Sequence, residues 1–161
     1  MTAAEYNSCV DQYADGIYRF IVKNVRNGEM ARDIVQDTFE KLWIKVTEVD
    51  YETVKTYLFT MAYHTMIDAI RKNKITSDID AEKADHYSTT NSYSDLKTVL
   101  NQAVEKLPEI QRTIILLRDY EGYSYEEIGR ITGLNESQVK VYIYRARVFL
   151  KSYIVDLDRV L

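Results

Sequence analysis

Apolar residues near the start of the chain recur at intervals of three and four. Val10, Tyr13, Ile17, Phe20 and Ile21 share one face, the period of an amphipathic helix. The run stops at Asn27-Gly28, where a glycine suits a left-handed C-cap. A second helix is predicted from about 29 to 46, with Ile34, Val35, Thr38, Phe39 and Leu42 on one broad face. A third begins near 52 or 53 and runs to about 73. Farther on, Leu96, Val99, Leu100, Ala103, Val104 and Leu107 form another stripe. Pro108 then suits the first turn of a helix carrying Ile110, Ile114, Ile115 and Leu117, which ends near "YEGY". No stretch alternates with the period of two that a strand requires.

Residues 123–151, "YSYEEIGRITGLNESQVKVYIYRARVFLK", carry a denser set of signals. Ser124 and Glu127 have the spacing of a capping box, and Asn135 and Gln138 repeat it eleven residues on. Between them Gly133 can end one helix in the left-handed conformation. Two helices joined so tightly must cross closely, which Gly129 permits by lacking a side chain. Ile128, Leu134 and Val139 fill the junction. The second helix is expected to bury Val139, Ile143, Ala146 and Leu150 and to expose Ser137, Lys140, Tyr144, Arg147 and Lys151. That is a helix-turn-helix with a polar, basic outer face, whose N-terminus can reach base edges and phosphates.

Charge changes the picture. The 161 residues carry a net −4, which argues against a protein that holds DNA unaided. The acidity is local, however. Residues 75–95 hold one lysine against five acids, whereas residues 1–74 and 96–161 are close to neutral. The middle segment is also rich in Ser, Thr, Asn and Asp and reads as a linker. The expected fold is therefore all-α: two small helical domains, 1–74 and 96–161, joined by a flexible acidic linker, 75–95. The second is a four-helix domain with the helix-turn-helix. A single cysteine, Cys9, excludes an internal disulfide and is read as a core residue. No window suggests a membrane span or a signal peptide, so a cytoplasmic protein without membrane insertion is expected. No cofactor or metal is expected, because His64 has only Asp68 as a helical neighbour and His86 lies in the linker.

The helix-turn-helix stretch resembles region 4.2 of bacterial sigma factors, which reads the promoter −35 element. "ARDIVQDTFEKLW" resembles their region 2.2, with Asp33, Gln36, Asp37, Phe39 and Trp43 matching the pattern D-x-x-Q-[DE]-x-F-x-x-x-W. "YLFTMAYHTMIDAIRKNK" resembles regions 2.3–2.4, which melt and read the −10 element. The order of the motifs, with only a short linker between them, resembles the small extracytoplasmic-function (ECF) group. The resemblance covers roughly residues 9–74 and 96–152.

It implies a subunit of RNA polymerase that directs promoter recognition, strand opening and initiation, and not an enzyme. Asp33, Gln36, Asp37 and Glu40 fall at i, i+3, i+4 and i+7 on one acidic face. By the resemblance that face meets the β′ clamp helices of core polymerase, with the β flap a further contact. Phe39 and Trp43 are expected in the core, Trp43 mostly buried. Tyr57, Tyr63, His64, Arg71, Lys72 and Lys74 are the candidates for the −10 strand, where rings stack on bases and cations follow the backbone. The family usually places Arg and Asn where this chain reads Tyr63-His64-Thr65. His64 stands where relatives often carry an Asn that contacts a flipped base. Glu136, Ser137, Gln138, Lys140, Tyr144, Arg145 and Arg147 are the candidates for the −35 duplex. The acidic linker suits a positively charged polymerase channel. An anti-sigma factor is a further partner that the resemblance allows.

Three other readings compete, one of them a protein–protein adaptor with a degenerate helix-turn-helix, which would bind no DNA even with polymerase present. A stand-alone regulator would bind duplex DNA as a dimer, but would need a more basic surface than the second domain offers. An enzyme would need a Ser/His/Asp, Cys/His or metal-ligand cluster, and the sequence suggests none.

Overall fold

The computed structural model describes residues 1–76 and 95–160, with side chains placed for 1–74 and 96–156. Most of the segment read as an acidic linker, 77–94, lies outside the described residues, as does His86. The chain divides into two units, Met1–Tyr87 and Ser88–Leu161. All regular structure among the described residues is helical.

The first unit packs three helices: α1 (Ala3–Val25), α2 (Gly28–Ile44) and α3 (Val54–Thr76), the last preceded by a 3-10 turn at Tyr51–Thr53. Helix α1 starts in a capping box, Thr2 and Glu5 exchanging side-chain and backbone hydrogen bonds. Its interior face carries Cys9, Ile17, Phe20 and Ile21; that of α2 carries Ala31, Ile34, Phe39 and Leu42; that of α3 carries Leu58, Phe59, Ala62 and Met66, all buried. Each large apolar side chain so buried contributes about 1.5–3 kcal/mol. Phe20 and Phe59 meet with ring centroids 5.6 Å apart, tying α1 to α3. Two of the polar groups drawn inside are satisfied along their own helices, Thr38 donating to the Ile34 carbonyl at 2.7 Å and Asn24 to that of Phe20 at 2.8 Å.

Two expectations fail in this unit. Gly28 is not the C-cap of α1. The left-handed residue is Arg26, φ 54°, and Asn27 instead caps α2 by accepting from the Met30 amide at 3.1 Å. With an N-cap side chain at 27, the chain must turn one residue earlier, leaving Gly28 as the first residue of α2. Trp43, expected in the core, is 51% exposed. Phe39 and Leu42 take the inward positions of the last turns of α2, and Trp43 falls on the outer side of the same stretch. One flank of its indole is covered by Tyr6, centroids 4.9 Å apart, whose hydroxyl donates to the Phe39 carbonyl at 2.9 Å.

The second unit has four helices: α4 (Asp95–Glu105), α5 (Glu109–Ile115), α6 (Tyr125–Thr132) and α7 (Glu136–Val160). Leu96, expected on the buried stripe of α4, is exposed, and burial there begins in earnest at Ala103 and Val104. Pro108 occupies the N-cap of α5. At this corner the Arg112 guanidinium donates to the carbonyls of Glu105 and Leu107, at 3.3 and 3.4 Å. Helix α5 does not simply stop. It widens into a π-helical turn over Leu116–Tyr120, closed by the Glu121 amide on the Leu116 carbonyl at 3.1 Å. No residue pattern over 116–120 predicts this wider turn. Gly122, φ 76°, then turns the chain toward α6. No helix among the described residues is long and apolar enough to cross a membrane.

Candidate polymerase and nucleic-acid interfaces

On α2 the four candidate residues Asp33, Gln36, Asp37 and Glu40 are all exposed and run along one side of the helix. The Gln36 amide donates to the Glu40 carboxylate at 3.3 Å, one turn away. Together they form a wall of a groove of about 540 Å³, whose opposite wall is α3, with Asp68 and Lys72. Lys41 spans the groove and donates to the buried Thr65 hydroxyl at 3.0 Å. Sequence reasoning missed Lys41. Its signal was only a lysine beside the acidic row, and its partner lies 24 residues away. Trp43 and Ile44 extend the row by one more turn, and Ile44 is 78% exposed. The face is therefore acidic along about two turns with an apolar end, a composition suited to a protein partner with cationic and apolar groups.

The −10 candidates do not form a single group. Tyr57 and His64 line a second, smaller pocket on α3, about 270 Å³, together with Met61 and Lys41. Burial, and then the charge of Glu48, push the Tyr57 phenol above its ordinary pKa, so it is neutral at physiological pH and presents an uncharged ring. Tyr63 points inward and is 9% exposed; its ring lies edge-on to His64 at 5.4 Å. It supports His64 and offers little face to a base. Arg71, Lys72 and Lys74 are exposed on the last turns of α3, where cations also favour the negative end of the helix dipole. Among the described residues no cluster of His, Cys, Asp and Glu could hold a metal ion.

In the second unit both predicted caps form. The Ser124 hydroxyl accepts from the Glu127 amide at 3.2 Å, although the Glu127 carboxylate takes the Ser124 hydroxyl instead of its amide. Asn135 and Gln138 make the reciprocal pair, at 3.0 and 2.8 Å. Gly133 has φ 80° and ends α6. A Cβ on Gly129 would stand 2.8 Å from the Leu134 carbonyl oxygen, so the close approach of the two helices needs glycine there. Ile128, Val139, Ile143 and Ala146 close the interior.

The outward residues of α7 are differently engaged. Glu136, Ser137, Tyr144 and Arg145 are exposed. Lys140 pairs with Glu136 at 3.4 Å. Gln138 is occupied by its cap. Arg147 is bound by Asp119 of the π-helical turn at 2.7 Å, and that hydrogen bond raises the guanidinium's already high pKa. Arg118 of the same turn lies over the Tyr125 ring, 4.6 Å from its centroid, and Lys140 approaches that ring at 5.9 Å. These cation–π contacts link the π-helical turn, the first turn of α6 and α7.

Comparison with known proteins gives a consistent result. The family model described as Sigma-70 region 2 matches residues 9–75, and that of Sigma-70, region 4 matches 97–150. The chain is 32% identical to the RNA polymerase sigma factor SigV of Bacillus subtilis strain 168, over 98% of this chain and 95% of that one. It is 31% identical to the ECF RNA polymerase sigma factor SigW of the same organism, over 92% of this chain and 88% of that one. Among solved structures it is similar to the sigma factor RpoE of Bartonella quintana, in complex with the anti-sigma factor NepR. There the TM-score is 0.77, with 26% identity over 92% of this chain and 96% of that one.

Proposed function

The chain belongs to the sigma-70 family, in its ECF group, and from that premise we propose how its residues divide the work of promoter recognition. It is a sigma factor that binds core RNA polymerase and directs promoter recognition and transcription initiation. The observation that carries this is the ordered pair of family matches, region 2 then region 4, which together span most of the chain.

In this reading the first unit is the polymerase-binding and −10 domain. Asp33, Gln36, Asp37 and Glu40, continued by Trp43 and Ile44, meet the β′ clamp helices. The carboxylates steer and orient the encounter, and the partly exposed indole supplies the apolar anchor that protein interfaces favour. Docking holds α3 against the promoter. There the pocket of Tyr57, Met61 and His64 receives an unstacked base, while Arg71, Lys72 and Lys74 follow the phosphates. Strand opening is driven by binding energy, since an extruded base must recover a few kcal/mol of lost stacking. Nothing in this scheme hydrolyses a nucleotide, and the chain acts as a subunit and not as an enzyme.

The second unit is the −35 domain. Helix α7 enters the major groove with its first turns, and Ser137, Lys140, Tyr144 and Arg145 face the duplex. Arg147, held by Asp119, keeps α7 on its support and presents its remaining edge to phosphate. The acidic stretch 75–95 is read as the tether that follows a basic polymerase channel. The work takes place in the cytoplasm, where polymerase is. An anti-sigma partner, as in the RpoE complex, is a natural regulator. The test is a run-off assay: core polymerase with this protein is expected to initiate at discrete sites on the source genome's DNA, where core alone does not. Uniform background initiation with and without the protein would overturn the assignment.

A further inference from the structure

The outer face of α7 has an unusual order. At 100° per residue, Ser137, Val141, Tyr144 and Val148 lie along its midline, directly opposite the buried Val139, Ile143 and Ala146. Val141 is 44% exposed, Tyr144 70% and Val148 48%. Lys140, Arg147 and Lys151 line one side of that stripe and Arg145 the other. A helix that only faces water carries its charges at the centre of the outer face. Here the centre is apolar and the edges are basic.

That order fits a DNA major groove. Its rims are phosphates, which basic edges would meet. Its floor presents base edges, among them the one apolar group of the code, the thymine 5-methyl. Hydrogen-bond readers are correspondingly few. The Gln138 carbonyl oxygen, which a bidentate contact to adenine would need, already accepts from the Asn135 amide. Glu136 and Lys140 are engaged with each other, which leaves Ser137 as the polar reader of the first turns. We propose that Val141 and Tyr144 are specificity-determining residues that read thymine 5-methyl groups in the −35 duplex. The proposal rests on the second unit being the −35 reader.

The test uses holoenzyme assembled from core polymerase and the full chain. A −35 element is first selected from a randomised duplex library, and each thymine is then replaced by deoxyuridine, which lacks only the methyl. Wild type is expected to lose about three- to fivefold in affinity at one or two positions, the worth of one buried methyl. Val141→Ser is expected to bind thymine and uracil alike at one of them, and Tyr144→Ala at the other. Both positions are exposed, so the variants should fold, and co-elution with core checks that they assemble. A selected element without thymine, or affinities indifferent to uracil at every position, overturns the proposal while leaving the sigma assignment intact. Loss of core binding by the two variants also overturns it, and assigns the stripe to a protein partner. Failure of the holoenzyme to select any element would instead overturn the reading of the second unit on which the proposal rests.

Discussion

Gly129 is the residue on which the helix-turn-helix geometry depends most narrowly. Its missing Cβ would stand 2.8 Å from a backbone oxygen, and a backbone cannot rotate away as a side chain can. Gly129→Ala is therefore expected to destabilise the second unit by about 1–3 kcal/mol, read as a shift in urea midpoint. Gly133→Ala faces open space and should lose about 1–2 kcal/mol for its left-handed backbone alone. A Gly129→Ala loss of only about 0.5 kcal/mol, that of an ordinary surface substitution, would mean that the close crossing is wrong. In the first unit, burial raises the pKa of the Cys9 thiol. The group holds its proton to higher pH when folded, so any stability from it is full below the unfolded thiol pKa and fades as pH rises through the folded one. Thiol reagents at pH 8 are expected to label Cys9 only as fast as the unit opens, with labelling accelerated by urea. Rapid labelling in buffer would contradict its placement. Both glycine roles were legible in the sequence, because each follows from a local rule about turns. The exposure of Trp43 was not, because helical periodicity places residue 43 near the edge of the apolar arc and only the packing of Tyr6 decides its side.

Between elements, the informative contacts are those no local pattern announces. Lys41 links α2 to α3 through Thr65. Lys41→Met would leave that buried hydroxyl without its donor and is expected to lower stability by about 1 kcal/mol, seen as a lower melting temperature. An unchanged melting temperature would show that the bond contributes nothing net. The π-helical turn at Leu116–Tyr120 carries Asp119, which grips Arg147 of α7. An exposed pair of this kind contributes about 0–1 kcal/mol, so Asp119→Asn should change stability little. It should, however, strengthen the phosphate contact of Arg147 by removing the competing carboxylate, and steepen the salt dependence of −35 binding by up to about one unit of log K per log salt. A loss of binding with unchanged slope would mean that Asp119 chiefly positions Arg147. The helices themselves were readable from apolar spacing and caps. The π-helical turn was not, since no residue type over Leu116–Tyr120 signals it.

For the whole molecule, the question is how an acidic chain can serve as a promoter reader. Its charge is partitioned, with the acidic excess in 75–95 and the α2 row, and the cations on the end of α3 and the edges of α7. The near-neutral charge of each unit argues for an affinity supplied largely by polymerase. This division was legible from charge and motif order. The arrangement of individual side chains on α2 and α3 was only partly so, since Tyr63 turned inward while Lys41 and Trp43 joined the outer face. The α2 row is proposed as the polymerase contact, and co-elution with core polymerase, without DNA and at moderate salt, is the deciding measurement. The wild-type chain is expected to elute with core, and Asp33→Arg or Asp37→Arg to elute alone while keeping its helical circular dichroism. Co-elution of the charge-reversed chains as fully as wild type would contradict the account of this surface, and a wild-type chain that elutes alone yet binds duplex DNA tightly would contradict the account as a whole.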